Sequence, residues 1–157
     1  MNHWQPLDAP AKQYPAARCA VPLELKVVTC TGRSISIAAC LKYSASDPYA
    51  VRLDIYAGYG TSTAWVFARD LLTVGVSRAV GADDVSVHPL PQGGRPTVVI
   101  TLRGQEDTGV LHAQTSRVRR FLALTERIVA TGQESGRLDI DMLLRRLLDE
   151  GPAGSAR

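Results

Sequence analysis

The strongest constraint in this sequence is a change of period. From about Ala20 to His112 apolar side chains recur mainly at every second residue; beyond Thr115 they recur at every third and fourth. Successive side chains of a strand point to opposite faces, whereas a helix brings residues three and four apart onto one side. Leu23, Leu25 and Val27 alternate with Glu24 and Lys26, and Ile35, Ile37, Ala39, Leu41 and Tyr43 alternate with Ser34, Ser36 and Lys42. Val51, Leu53 and Ile55 alternate with Arg52 and Asp54. Each run describes a strand with one buried face. "TGRS" (Thr31 to Ser34) and "AGYGTS" (Ala57 to Ser62) supply turns, with glycines available for positive φ. "TAWVFA" (Thr63 to Ala68), "VSVHPL" (Val85 to Leu90), "TVVITL" (Thr97 to Leu102) and "TGVLHA" (Thr108 to Ala113) continue the series. Such short spacings favour antiparallel pairing through hairpins and a meander.

Helical patterns interrupt and then follow the strands. "RDLLTVG" (Arg69 to Gly75) predicts a two-turn helix that starts at Arg69 and Asp70 and is terminated by its glycine. Val118, Phe121, Leu122, Thr125, Ile128 and Val129 share one helical face between about Thr115 and Thr131. Leu138, Ile140, Leu143, Leu144, Leu147 and Leu148 predict a second helix, its N-terminus favoured by Asp139 and Asp141. Strands first and helices last make an α+β fold: a curved, barrel-like antiparallel sheet of six to seven strands, packed by a short helix and two C-terminal helices. With 157 residues the chain fits one domain, here residues 19–150. Residues 1–18, with Pro6, Pro10 and Pro15, read as a flexible arm, and residues 151–157 as a flexible tail.

The residues that carry catalysis do not assemble into a pattern. A reaction needs a nucleophile, a base and an orienting group that converge. His3 lies in the arm, His88 beside Pro89 and His112 at a strand end, and none is paired with a suggestive serine or cysteine. Cys19, Cys30 and Cys40 are odd in number and lack a C-x-x-C spacing, which argues against a disulfide framework and a structural zinc site. Asp83–Asp84 and "GQEDTG" (Gly104 to Gly109) read as turns rather than ion loops. The expectation is therefore no catalytic, cofactor or metal site. "MNHWQPLDAP" lacks the basic start and apolar run of a signal peptide, and no stretch is apolar enough to insert in a membrane, so a cytoplasmic location is expected.

Six of the nine aromatic residues fall between Tyr43 and Leu72. Single-stranded nucleic acid can stack on aromatic rings laid across an open sheet beside a basic groove. Parity opposes that use here. Tyr49 and Tyr56 have opposite parity on one strand, and Trp65 and Phe67 share a face whose reverse carries Ala64, Val66 and Ala68. A strand apolar on both faces is expected to be buried on both. The cluster Arg117, Arg119 and Arg120 opposes an apolar helical face, as any solvated helix surface does. The net charge of +3, spread along the chain, adds no basic stripe, so nucleic acid is an unlikely partner.

"SDPYAVRLDIY" (Ser46 to Tyr56), then "WVFARDLLTVGV" (Trp65 to Val76) and "GADDVSVHP" (Gly81 to Pro89), resembles the SsgA-like protein family, regulators of sporulation-specific division in filamentous actinomycetes. "FLALTERIV" (Phe121 to Val129) and "LDIDMLLRRLL" (Leu138 to Leu148) are similar to that family's ending. Lys42 and Ser44 stand where the family usually has an arginine and an aspartate, and the loop "ATGQESGR" lacks its proline, as in a divergent paralogue. The resemblance implies a whirly-like fold, assembly into a dimer or trimer, and no catalytic activity, cofactor or small-molecule substrate. It implies an adaptor at cell-division septa, acting on other SsgA-like proteins or on the tubulin-like division GTPase and its membrane tethers. The whirly likeness keeps single-stranded nucleic-acid binding as the alternative. The motif residues Asp47, Pro48, Tyr49, Trp65, Phe67, Arg69 and Asp70 are expected to be mainly structural. Asp47 is expected to bond its own backbone while Pro48 fixes φ. Tyr59, Arg117, Arg119, Arg120, Arg145 and Arg146 are the expected partner surface.

Overall fold

In the computed structural model, which describes residues 16–91, 94–137 and 144, the period-two runs become seven strands. They are β1 (Arg18–Val28), β2 (Ser34–Ser44), β3 (Ala50–Tyr56), β4 (Ser62–Ala68), β5 (Val85–Leu90), β6 (Thr97–Arg103) and β7 (Thr108–Gln114). Two antiparallel meanders, β1 to β4 and β5 to β7, join through β1 and β7 in the sheet order β4-β3-β2-β1-β7-β6-β5. The joint is short. β1 pairs with β2 over its whole length, but with β7 only from Leu25↔Ala113 to Val27↔Leu111. The sheet curves into a half-barrel.

Register places the apolar halves of all seven strands on one face. Val21, Leu41, Leu53 and Trp65 are successive cross-strand partners, as are Val87, Ile100 and Leu111. Helix α2 (Thr115–Ile128) lies over this inner face and buries Val118, Phe121 and Thr125 against it. The stripe matches the helical period of its sequence. The helix stops at Ile128, before Thr131. Val129 is extended, with φ −141 and ψ 111, and Glu126 accepts hydrogen bonds from both the amide and the hydroxyl of Thr131. A short 3-10 helix, Glu134–Arg137, follows. The second C-terminal helix expected from Leu138 to Leu148 lies outside the described residues, apart from Leu144.

Two local expectations are corrected. Arg18 pairs with Ser44, and the Ala17 carbonyl accepts the Ala45 amide, so ordered backbone reaches into the stretch read as an arm. Helix α1 (Arg69–Gly75) has the expected bounds, but Gly75 does not terminate it through a left-handed turn. Val76 continues in right-handed helical geometry, with φ −68 and ψ −17. Gly75 is needed for proximity: a Cβ there would overlap the Val87 side chain of β5.

Gly75→Ala is therefore expected to destabilise by about 1–3 kcal/mol, through overpacking, although Ala normally favours a helix over Gly by about 1 kcal/mol. Urea denaturation of the two proteins gives the sign directly.

Candidate functional site

The motif between Ser46 and Asp70 builds the interior side of the site first. Asp47 is exposed, and its side chain makes no hydrogen bond among the described residues. The Asx turn expected there is replaced by backbone bonds, Asp47 N–H to the Ser44 carbonyl at 3.1 Å and Ala50 N–H to the Asp47 carbonyl at 3.3 Å. Pro48 is buried, and its carbonyl accepts the Tyr43 hydroxyl at 2.8 Å. The next link is Tyr49, whose carbonyl accepts the Arg69 amide at 2.7 Å.

Arg69, expected only to start a helix, is 2% exposed. Its guanidinium donates to the Val129 carbonyl at 2.7 Å and to Glu134 Oε1 at 2.5 Å, and lies 5.1 Å from the centre of the Tyr43 ring. Glu134 Oε2 accepts the Gly132 amide at 2.7 Å. Hydrogen bonding to the backbone N–H of Glu134 itself, and then to Arg69, holds that carboxyl below the usual glutamate range. The signal in the sequence is an arginine inside an apolar run, "TAWVFARDLLTV", with an acid, Glu134, between the two C-terminal apolar stripes. Its distant partner has no local signature.

The outward side is the face of β1 to β4 that α2 does not cover. Lys42 and Arg52 are directly opposite on neighbouring strands, an arrangement of like charges that costs energy unless an acid is shared. Asp54 supplies it. Its carboxylate, in a residue 4% exposed, receives Lys42 Nζ at 2.6 Å on one oxygen and Arg52 Nε at 2.6 Å on the other. Lys42 and then Arg52 hold the Asp54 carboxyl below the usual aspartate range. Around the triad the surface is low and weakly charged, with exposed Ala20, Pro22, Ala38, Ala64, Val66 and Ala68. A cleft of about 780 Å³ runs beside it, lined by Arg18, Lys42, Asp47, Arg52 and Val66 among others.

Val66 is 62% exposed, which corrects the expectation that β4 is buried on both faces. β4 is an edge strand and the helices cover only its inner side, where Phe67 is buried and Trp65 packs against the core. The aromatic rings are accordingly divided. Tyr43, Trp65 and Phe67 face inward, Tyr56 faces outward, and Tyr49 and Tyr59 are exposed in connections. Tyr59 is held at φ 54 between Gly58 and Gly60, which also have positive φ. No shared stacking platform results. His88 and His112 flank Val99 on the outer face, and no metal-binding group of His, Cys, Asp and Glu exists among the described residues. Asp70, Arg117, Arg119 and Arg120 are exposed; Arg145 and Arg146 lie outside the described residues.

Arg69→Met keeps the aliphatic stem but strands the Glu134 carboxylate and the Val129 carbonyl, and is expected to cost about 3–5 kcal/mol in urea denaturation. The Asp54 triad gives a pH signature. A folded-state pKa below the unfolded value of about 3.9 means the contribution is complete above that value and is lost as pH falls through the folded one. The stability gap between wild type and Asp54→Asn should thus be flat from about pH 7 to 5 and close progressively below about pH 4. A gap that widens on acidification would refute the assignment.

Residues 37–134 match the family described as "Streptomyces sporulation and cell division protein, SsgA". Among similar proteins, the sporulation-specific cell division protein SsgB of Kineococcus radiotolerans is 38% identical over 90% of this chain and 87% of its own. SsgB of Streptomyces coelicolor is 36% identical over 82% of this chain and 93% of its own. A solved structure from work relating SsgB mutations to longitudinal cell division during sporulation of Streptomyces coelicolor superposes with a TM-score of 0.76 at 33% identity, covering 80% of this chain and 98% of that one. The SsgA-like sporulation-specific cell division protein of Thermobifida fusca superposes with a TM-score of 0.77 at 32% identity, covering 85% and 98%. Matches of this length, over the motif, the sheet and the inner helix, show that the chain belongs to the SsgA family.

Proposed function

We propose that this chain is a non-enzymatic adaptor of sporulation-specific cell division, localising or recruiting septation or spore-wall machinery through protein–protein contacts in the cytoplasm at septa. The relatives are named as cell-division proteins of sporulation, and their names describe no reaction. Its partners on this reading are further copies in a dimer or trimer, other SsgA-like proteins, or the tubulin-like division GTPase and its membrane tethers.

The observation that carries the reading is the free edge of β4. The two sheet edges are treated differently. β5 is closed by a two-way backbone bridge, Val80 N–H to Val87 O and Val87 N–H to Val80 O, both at 2.9 Å, and contains Pro89. β4 is seven residues long and carries neither a charge nor a proline. It pairs with β3 at every residue, and no strand covers its other side among the described residues. An edge left this way is a template for strand addition by another chain. The shallow outer face around Val66 and the Asp54 triad continues the surface inward from it.

A fluorescent fusion in sporulating hyphae, followed beside a division-ring marker, is expected to form ladders or foci coincident with the ring. Val66→Lys, which adds a charge to the outer face of the edge strand, is expected to leave the melting temperature unchanged and the signal diffuse. Signal on nucleoids between septa would instead favour the single-stranded nucleic-acid reading.

A further inference from the structure

The start of helix α2 has no side-chain cap. β7 runs directly into it, with Gln114 as the N-cap at φ −65 and ψ 126, and the Gln114 side chain makes no capping bond. The Thr115 amide is satisfied by the Pro96 carbonyl at 3.0 Å. The amides of Ser116 and Arg117 have no acceptor among the described residues. No acidic residue lies in the first turn. Arg117, Arg119 and Arg120 occupy it and the next instead, so positive side chains crowd the positive end of the helix dipole. That arrangement is unfavourable until an anion sits among them.

Thr115 points independently to a ligand. The residue is 8% exposed, yet its hydroxyl has no hydrogen-bond partner among the described residues. Every fully enclosed side-chain nitrogen or oxygen among those residues is satisfied, so the Thr115 hydroxyl keeps its opening to solvent. Thr115 lines two neighbouring cavities of about 410 and 310 Å³, which also share Pro96 and Arg119. Arg95 joins Arg119 in the larger one, and no carboxylate of the described residues lines either. Neither Arg95 nor Arg119 has an ion-pair partner among the described residues. Beyond Arg95, where β1 and β7 part, an adjoining cleft adds Lys26, His112 and Arg117 with the single acid Glu24. Glu24 already accepts the Ser36 hydroxyl at 2.8 Å.

We propose that this corner is a binding site for one phosphate group, free or as a phosphomonoester of a small molecule. The Ser116 and Arg117 amides and the Thr115 hydroxyl would take its oxygens, and the Arg95 and Arg119 guanidiniums would neutralise it. Backbone N–H groups at a helix start and planar guanidinium forks are the donors that tetrahedral oxyanions select. The cavity size suits a small ligand. This site lies on elements remote from β4 in the sheet order, and it stands or falls apart from the adaptor reading.

The test is an NMR titration of the full chain at constant ionic strength, replacing chloride with inorganic phosphate or with O-phosphoserine. Saturable shifts of the Ser116 and Arg117 amides by both ligands support the site. Saturation by O-phosphoserine alone also supports it and identifies the carried phosphate as the source. The double variant Arg95→Gln, Arg119→Gln, at two exposed positions, is expected to weaken binding about tenfold or more and to abolish the rise in melting temperature that phosphate gives the wild type. Thr115→Val is expected to weaken binding with its amide pattern otherwise intact. Shifts that grow linearly without saturating, or binding that the double variant leaves unchanged, would overturn the proposal. So would binding of a single-stranded oligonucleotide that phosphate does not displace.

Discussion

One buried cation organises the inner half of this protein. Arg69 begins α1, stacks on Tyr43 of β2, closes the end of α2 through the Val129 carbonyl and pairs with Glu134 of the 3-10 helix. Its own amide is held by Tyr49, and Tyr43 in turn holds Pro48. Four separate segments are therefore referred to one guanidinium, which is satisfied by geometry a lysine does not supply. A buried ion pair is a poor source of net stability compared with apolar packing. Its value here is directional. It specifies where α2 ends and how the chain turns back, choices that the apolar stripe of α2 leaves open.

The sheet is asymmetric in how it meets solvent. On the β5 side, a bridge and a proline end the ladder. On the β4 side, the ladder ends in backbone groups that no strand among the described residues pairs, with small apolar side chains outward. Most proteins blunt such an edge with charge, because an unblocked one invites other chains. An edge left open beside a shallow, weakly charged face is the arrangement expected of a protein whose work is contact. The Asp54 triad fits the same logic: one carboxylate shared by two facing cations offsets their mutual repulsion and fixes them in place on that face.

The cations on the outer face of β1 to β4 share a carboxylate, whereas those at the start of α2 have no acid paired with them among the described residues. Arginines there stand beside amides and a hydroxyl that have no partner among the described residues, and the parting of β1 from β7 opens the cleft next to them. The two regions thus differ in kind. One offers backbone and shape, and the other offers concentrated positive potential.

Periodicity alone determined much of this molecule. The seven strands, both described helices and the inward placement of Phe67 follow from side-chain directions that are local properties of strand and helix. The family was legible too, because "DPYAV" and "WVFARDLL" are contiguous strings. Tertiary structure alone decided the rest. That β4 is an edge, so that Val66 is exposed, depends on sheet order, which alternation does not encode. That Gly75 serves proximity depends on how closely α1 approaches β5. That Arg69 is buried depends on Glu134, 65 residues away. That Arg95 and Arg119 share a cavity depends on where β6 and α2 begin in space. Local periods set which way side chains point, whereas partners distant in the chain exist only once the sheet has closed around its helix.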